Sequence, residues 1–247
     1  MGRLLGAKQR EVGRLWVGAV GALALCAACA GGDPSDPADP MGSSAAPTEP
    51  GEFTHVPRIF LDPAPRGPLP PGVELRRVTL KGLDLTASME GYRGELYEDP
   101  AGYCTIGFGH LVKLSPCDGT EPARFRHGLD RPAARELLRE DLQLAERAVT
   151  ELVDVPLSDG QYDALCDFTY NVGRGALARS TLRDYVNAGE YGKVPAQLRR
   201  YVLAGGRRLR GLVVRREKEI ELFFDGLVPR SVPGPDEDLT PIDILRP

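Results

Sequence analysis

The sequence predicts an α+β fold, mainly helical with one small hairpin sheet. Three patterns carry that prediction. Apolar residues recur at steps of three and four through most of residues 75–226, one short stretch alternates bulky with small or polar residues around a turn, and capping residues and glycines bracket the helical runs. The chain of 247 residues is 42% apolar and 27% charged, a globular composition that excludes fibrous and disordered classes. A net charge of -4 gives no footprint for nucleic acid, which needs a basic surface to neutralise phosphates.

Residues 1–30 read as a signal peptide. Arg3, Lys8, Arg10 and Arg14 precede the uncharged run LWVGAVGALALCAA, and small residues follow. The run falls short of the ~20 residues a spanning helix needs, so a permanent membrane anchor ranks second to export. Cys26-Ala27-Ala28-Cys29 resembles a bacterial lipoprotein cleavage box with Cys29 as the lipidated residue. Ala28-Cys29-Ala30 also fits ordinary signal peptidase, so lipid anchoring and free secretion both stay open. Residues 31–74, rich in Pro, Gly and Ser, lack the apolar surface to offset chain entropy and read as a disordered linker. Residues 227–247 read as a Pro-rich acidic tail lying on or off the domain. The block between, roughly 150 residues, is large enough for one real core.

Within it, Leu80, Leu83, Ala87 and Glu90 share a helical face that stops at Gly91. GYRGELYEDPAGYCTIGFGH then alternates around Asp-Pro-Ala-Gly as hairpin strands do. Asp130 is the N-cap of a long helix whose stripe runs through Ala134, Leu137, Leu138, Asp141, Ala145, Ala148, Val149 and Leu152. Asp141 is the one carboxylate on that stripe and needs a partner if buried. Ser158-Asp159-Gly160-Gln161 is a capping box opening a helix that reaches Gly173. Further helices are expected over Thr181–Ala188, over Pro195–Ala204 with a stop at Gly205-Gly206, and over Leu212–Phe224.

Cleaving a glycoside takes a proton donor for the leaving oxygen and a second carboxylate across the bond. Glu90 at a helix end and Asp99 in the hairpin are candidates, although among 35 acids such a pairing alone is weak. Its surroundings are specific. MEGYRGELYEDPAGYCTIGFGH resembles the phage-type lysozymes, glycoside hydrolase family 24, with Glu90, eight residues, Asp99, five residues, Thr105, and then Gly107-Phe108-Gly109-His110. QYDALCDFTYNVGRGALARSTL and AGGRRLRGLVVRREKEIELF resemble the C-terminal lobe of the lambdoid endolysins. The resemblance implies a lysozyme-like two-lobed fold with a C-terminal helical lobe, and a muramidase acting on peptidoglycan. It makes Glu90 the general acid, Asp99 the residue that assists water or stabilises developing positive charge, and Thr105 the residue that helps position the water. It also implies a structural pair between His110 and Asp141, and substrate contacts at Leu111, Tyr170, Asn171 and Thr181.

Other readings of these residues remain. Tyr170 reads equally as core and Asn171 as a helix-end cap. Arg215 or Arg216 could hold the Glu90 region, or both could form a solvated face. Cys104 and Cys117 bracket the end of the hairpin, and a bridge between them outside the cytoplasm would contribute about 3 kcal/mol; the sequence leaves their pairing open. Cys166 reads as a buried free thiol. No cofactor and no metal are expected, because the close pair Cys26 and Cys29 lies within the leader. A monomer is expected, in the periplasm, at the envelope or secreted. Two rivals remain: a non-catalytic peptidoglycan-binding lipoprotein and a lytic transglycosylase.

Overall fold

Thr79, Asp130, Ser158 and Ser180 each open a helix by accepting from its orphan backbone amides. A computed structural model describes residues 75–227, 234 and 237–246; the leader, the linker and Cys29 lie outside the described residues. Helix α1 (Leu80–Glu90) starts at Thr79, whose hydroxyl accepts from the Lys81 and Gly82 amides, and ends at Gly91, which takes φ 69°. Leu83 and Ala87 are buried as expected. Leu80 is exposed, and Leu85 and Thr86 are buried in its stead.

Three antiparallel strands follow, in the order β1 (Arg93–Glu98), β2 (Cys104–Gly107), β3 (His110–Lys113). The third strand is an addition to the expected hairpin. Gly107 and Gly109 take φ 69° and 82°, which folds Ile106 back against His110. Strand β2 is buried along its whole length, and Ile106 packs with Phe125 and Leu137 in a small core beneath the sheet. Cys104 and Cys117 form a disulfide closing 13 residues of sequence separation.

Helix α2 (Arg131–Leu152) is capped by Asp130, whose carboxylate accepts from the Ala133 amide. Helix α3 (Asp159–Val172) opens with the full capping box of Ser158 and Gln161. Every residue from Tyr162 to Thr169 is buried, so α3 is the central helix, with α1, α2, α7 (Arg210–Phe223) and the short α4 (Arg174–Ala178) packed around it. Two short helices, α5 (Thr181–Asn187) and α6 (Val194–Leu198), complete the helical part. Among the described residues no helix is long and apolar enough to cross a membrane.

The expected helix over Pro195–Ala204 stops at Leu198, because Gly205 and Gly206 are a hairpin turn and not a helix stop. Both take positive φ, 59° and 76°, and join β4 (Leu203–Ala204) to β5 (Arg207–Arg208). The C-terminal residues 237–246 pack on this hairpin. Ile244 is only 2% exposed and belongs to the main core, and Leu203 bridges Asp243 in parallel.

A Cβ added at Gly160 would lie 2.3 Å from the Leu222 carbonyl oxygen. Helix propensity favours Gly160→Ala, yet the backbone contact reverses the sign, so the variant is expected to lose about 1–3 kcal/mol in urea unfolding. A gain in stability would show that α3 and α7 do not approach this closely.

Candidate active site

Glu90 owes its place to the helix that ends on it. Gly91 turns the chain away, and the Glu90 side chain, 7% exposed, meets Arg215 Nη1 at 2.7 Å. Arg215 is fully buried. Its other side grips Asp167 of α3 in a fork, Nε to Oδ2 at 2.9 Å and Nη2 to Oδ1 at 2.8 Å. One guanidinium therefore ties α1, α3 and α7 together, and of the two arginines considered from sequence it is Arg215 that reaches Glu90. Arg216 instead donates to Asn171 Oδ1 at 2.7 Å and lies 2.8 Å from Glu219 Oε1.

Asp99 sits in the β1–β2 turn and is nearly buried. Its Oδ1 accepts from the Ala101 and Tyr103 amides at 2.8 and 2.9 Å, and its backbone amide donates to the Tyr103 carbonyl at 2.9 Å. Thr105 lies on β2, paired with Tyr97 on one side and Leu111 on the other, and its hydroxyl donates to the same Tyr103 carbonyl at 3.1 Å. Tyr103 thus links Asp99 to Thr105. The turn fixes the carboxylate by its own backbone, a self-bonding habit of Asp in turns.

His110 Nδ1 lies 2.9 and 3.1 Å from the two Asp141 oxygens, so a β3 side chain is joined to the α2 stripe. Tyr170 and Asn171 lie at the end of α3, and through Arg216 the Asn171 amide neighbours the Glu90 assembly. Thr181 belongs to a separate network, its hydroxyl donating to Gln197 Oε1 at 2.5 Å. The structure thus groups these candidate residues in four assemblies: Glu90 with Asn171 by way of the arginines, Asp99 with Thr105 and Leu111 in the sheet, His110 with Asp141, and Thr181 with α6.

Sequence reasoning missed the carboxylates beneath these assemblies. Asp163 caps α1 from α3, accepting from the Thr79 amide and hydroxyl at 2.9 and 2.5 Å, and Glu146 accepts from the Val78 amide at 2.8 Å. Asp163 and Asp167 are four residues apart in the run DALCDF, whose other residues are apolar. That spacing, which puts both carboxylates on one helical face of an apolar segment, was the available signal.

Burial opposes ionisation of Asp167, but the Arg215 charge and hydrogen bonds outweigh it and hold the carboxyl below its usual range. For Glu219 the balance is opposite. Burial, reinforced by the Asp167 charge and only partly countered by Arg216, pushes its carboxyl well above the usual range. An acid whose folded value is raised adds stability below its unfolded value, and that contribution disappears as pH rises through the folded value. Wild type is therefore expected to lose stability relative to Glu219→Gln as pH rises above the ordinary carboxylate range, in urea unfolding at a series of pH values. Arg215→Met, which strands Asp167, is expected to cost about 3–5 kcal/mol. Parallel pH profiles for wild type and Glu219→Gln would contradict the upward shift of the Glu219 carboxyl.

Known proteins resemble this chain in sequence and in fold. The Phage lysozyme family model matches residues 87–219, more than half of the chain, and that stretch holds Glu90, Asp99, Thr105, His110 and Arg215. The endolysin of Bacillus phage B103 is 37% identical over 152 residues, covering 60% of this chain and 54% of that protein. The endolysin of Salmonella phage P22 is 39% identical over 119 residues, covering 47% of this chain and 77% of that one. The chain thus spans about half the length of the Bacillus phage relative. Among solved structures, the muramidase domain of SpmX from Asticaccaulis excentricus superposes with a TM-score of 0.53 at 30% identity, covering 62% of this chain and 99% of that domain. With its motif spacing, its small antiparallel sheet and its helical lobe, the chain belongs to the phage lysozyme family.

Proposed function

We propose that this protein is a muramidase that hydrolyses the β-1,4 bond between N-acetylmuramic acid and N-acetylglucosamine in peptidoglycan. The observation that carries the reading is the fixation of Glu90 by Arg215, itself forked to Asp167, in a chain that keeps the family spacing to Asp99 and Thr105. In this reading Glu90 protonates the glycosidic oxygen. Asp99, immobilised by the Ala101 and Tyr103 amides, stabilises positive charge on the sugar ring or assists water. Thr105 orients the water through its hydroxyl. Leu111, Tyr170, Asn171 and Thr181 contact the glycan, and His110 with Asp141 braces the sheet against α2. The leader over residues 1–30 supports export, with Cys29 as the lipid anchor in the envelope-bound form, and the protein works as a monomer.

Retention of an acid, a second carboxylate and a hydroxyl in register favours water as the nucleophile over the substrate's own 6-hydroxyl. Glu90→Gln is expected to lower the release of reducing ends from purified cell walls by about 10² to 10⁴. In a zymogram wild type should clear and the variant should not. Mass analysis of the wild-type products should give reducing ends; anhydro-muramyl ends would replace hydrolysis by transglycosylation. Equal clearing by both proteins would remove Glu90 from the chemistry.

A further inference from the structure

Beyond residue 219, where the family match ends, the chain returns to the domain and makes side-chain contacts that a passive tail would not need. They converge on Arg200. Its Nη2 donates to Asp238 at 2.7 Å and its Nε to the Thr240 carbonyl at 3.0 Å, while Nη1 reaches Gln197 Oε1 at 2.9 Å and the Thr181 hydroxyl oxygen at 3.3 Å. Gln197, itself buried, accepts from Thr181 through Oε1 and donates to Glu237 through Nε2 at 2.9 Å. The backbone fixes the same register. Ile242 donates to the Arg200 carbonyl at 2.6 Å, Ile244 to the Leu203 carbonyl at 2.9 Å, and Asp243 accepts from the Gly205 and Gly206 amides at 3.1 and 2.5 Å.

These contacts decide what Thr181 can offer. A hydroxyl has one proton and two lone pairs. The Thr181 proton is spent on Gln197, and one lone pair faces Arg200. What remains on this exposed residue is an acceptor of fixed direction, suited to a sugar hydroxyl or an acetamido N–H. Neither partner can turn freely. Gln197 rotated by half a turn would present its amide donors to Arg200 and to Thr181 and would lose Glu237, and Arg200 is held at its far side by the C-terminal segment.

We propose that Arg200 is a positioning residue for Thr181, and that residues 237–246 strap the α5–α6 side of the sugar cleft, setting how tightly that side holds the glycan. The proposal rests on the muramidase reading and on the glycan contact assigned there to Thr181. It predicts an effect on binding and little on the chemical step, because Glu90 and Asp99 lie in other networks.

The test is steady-state kinetics of the full chain on soluble, uncrosslinked peptidoglycan strands, with reducing ends as the readout. Arg200→Met and Asp238→Ala are each expected to raise KM by about three- to ten-fold, the scale of one or two lost hydrogen bonds, with kcat within about two-fold of wild type. Because Arg200 acts through Thr181, the double variant Thr181→Val with Arg200→Met should be no worse in KM than the worse single variant. Arg199→Ala, on a neighbour paired with the exposed Glu217, should leave both constants unchanged. Asp238 is 64% exposed, so Asp238→Ala decides the matter even where Arg200→Met fails to fold. A wild-type KM in Asp238→Ala, or independent, additive effects of Thr181→Val and Arg200→Met, overturns the proposal while the muramidase reading stands. A wild type that releases no reducing ends overturns both.

Discussion

The buried guanidinium of Arg215 is the interaction on which the arrangement of this protein depends. Taking a full positive charge out of water costs several kcal/mol, and the fold recovers that cost only because carboxylates meet the group on two sides. Burial depresses ionisation of a lone cation, yet the Asp167 and Glu90 carboxylates together raise the affinity of Arg215 for its proton above its ordinary value. A charge paired in this way tolerates few alternative packings. Helices α1, α3 and α7 must meet in one register or leave it exposed to an apolar wall. The same constraint that fixes the helical part therefore also fixes the side chain of Glu90.

Asp99 and Thr105 are held by a different and more local device. Their positions follow from one turn and one strand pairing, in which Tyr103 accepts from the Thr105 hydroxyl and donates its amide to Asp99. Around that turn the sheet is braced from outside. The Cys104–Cys117 bridge closes the loop after β3, Lys113 pairs with the buried Glu121 at 3.1 Å, and His110 reaches Asp141 on α2. A sheet this small buries little apolar surface of its own, so covalent and ionic ties supply what packing does not. The two halves of the candidate site thus rest on separate supports, an ion network among helices and a stapled sheet.

The central helix carries the physical tension of the fold. Helix α3 is buried on all sides from Tyr162 to Thr169, and that stretch still holds Asp163 and Asp167. Burial raises the first above its ordinary value despite hydrogen bonds from Thr79, whereas Arg215 keeps the second ionised. One carboxylate of the pair caps a helix and the other orients an arginine. Both are spent on positioning neighbouring elements rather than on solvation, which is why neither could be replaced by an apolar residue without freeing a helix end or a buried charge.

Much of this was legible in the chain. The 3.6-residue stripes, the Asp130 cap, the capping box at Ser158 and the glycine after Glu90 each act within a few residues, so sequence spacing determined α1, α2 and α3 and the motif from Glu90 to His110. The identity of the arginine that meets Glu90 was not legible, because Arg215 and Arg216 are adjacent and only the rotation of α7 against α3 selects between them. Gly205-Gly206 misled for a related reason: two glycines stop a helix or turn a hairpin equally well, and the pairing of Leu203 with the returning segment at Asp243 decided for the hairpin. Local chemistry repeats along a chain and can be read from it. Contacts such as Arg215 to Glu90, separated by 125 residues, depend on how whole elements pack, and that is where the tertiary structure made the choice.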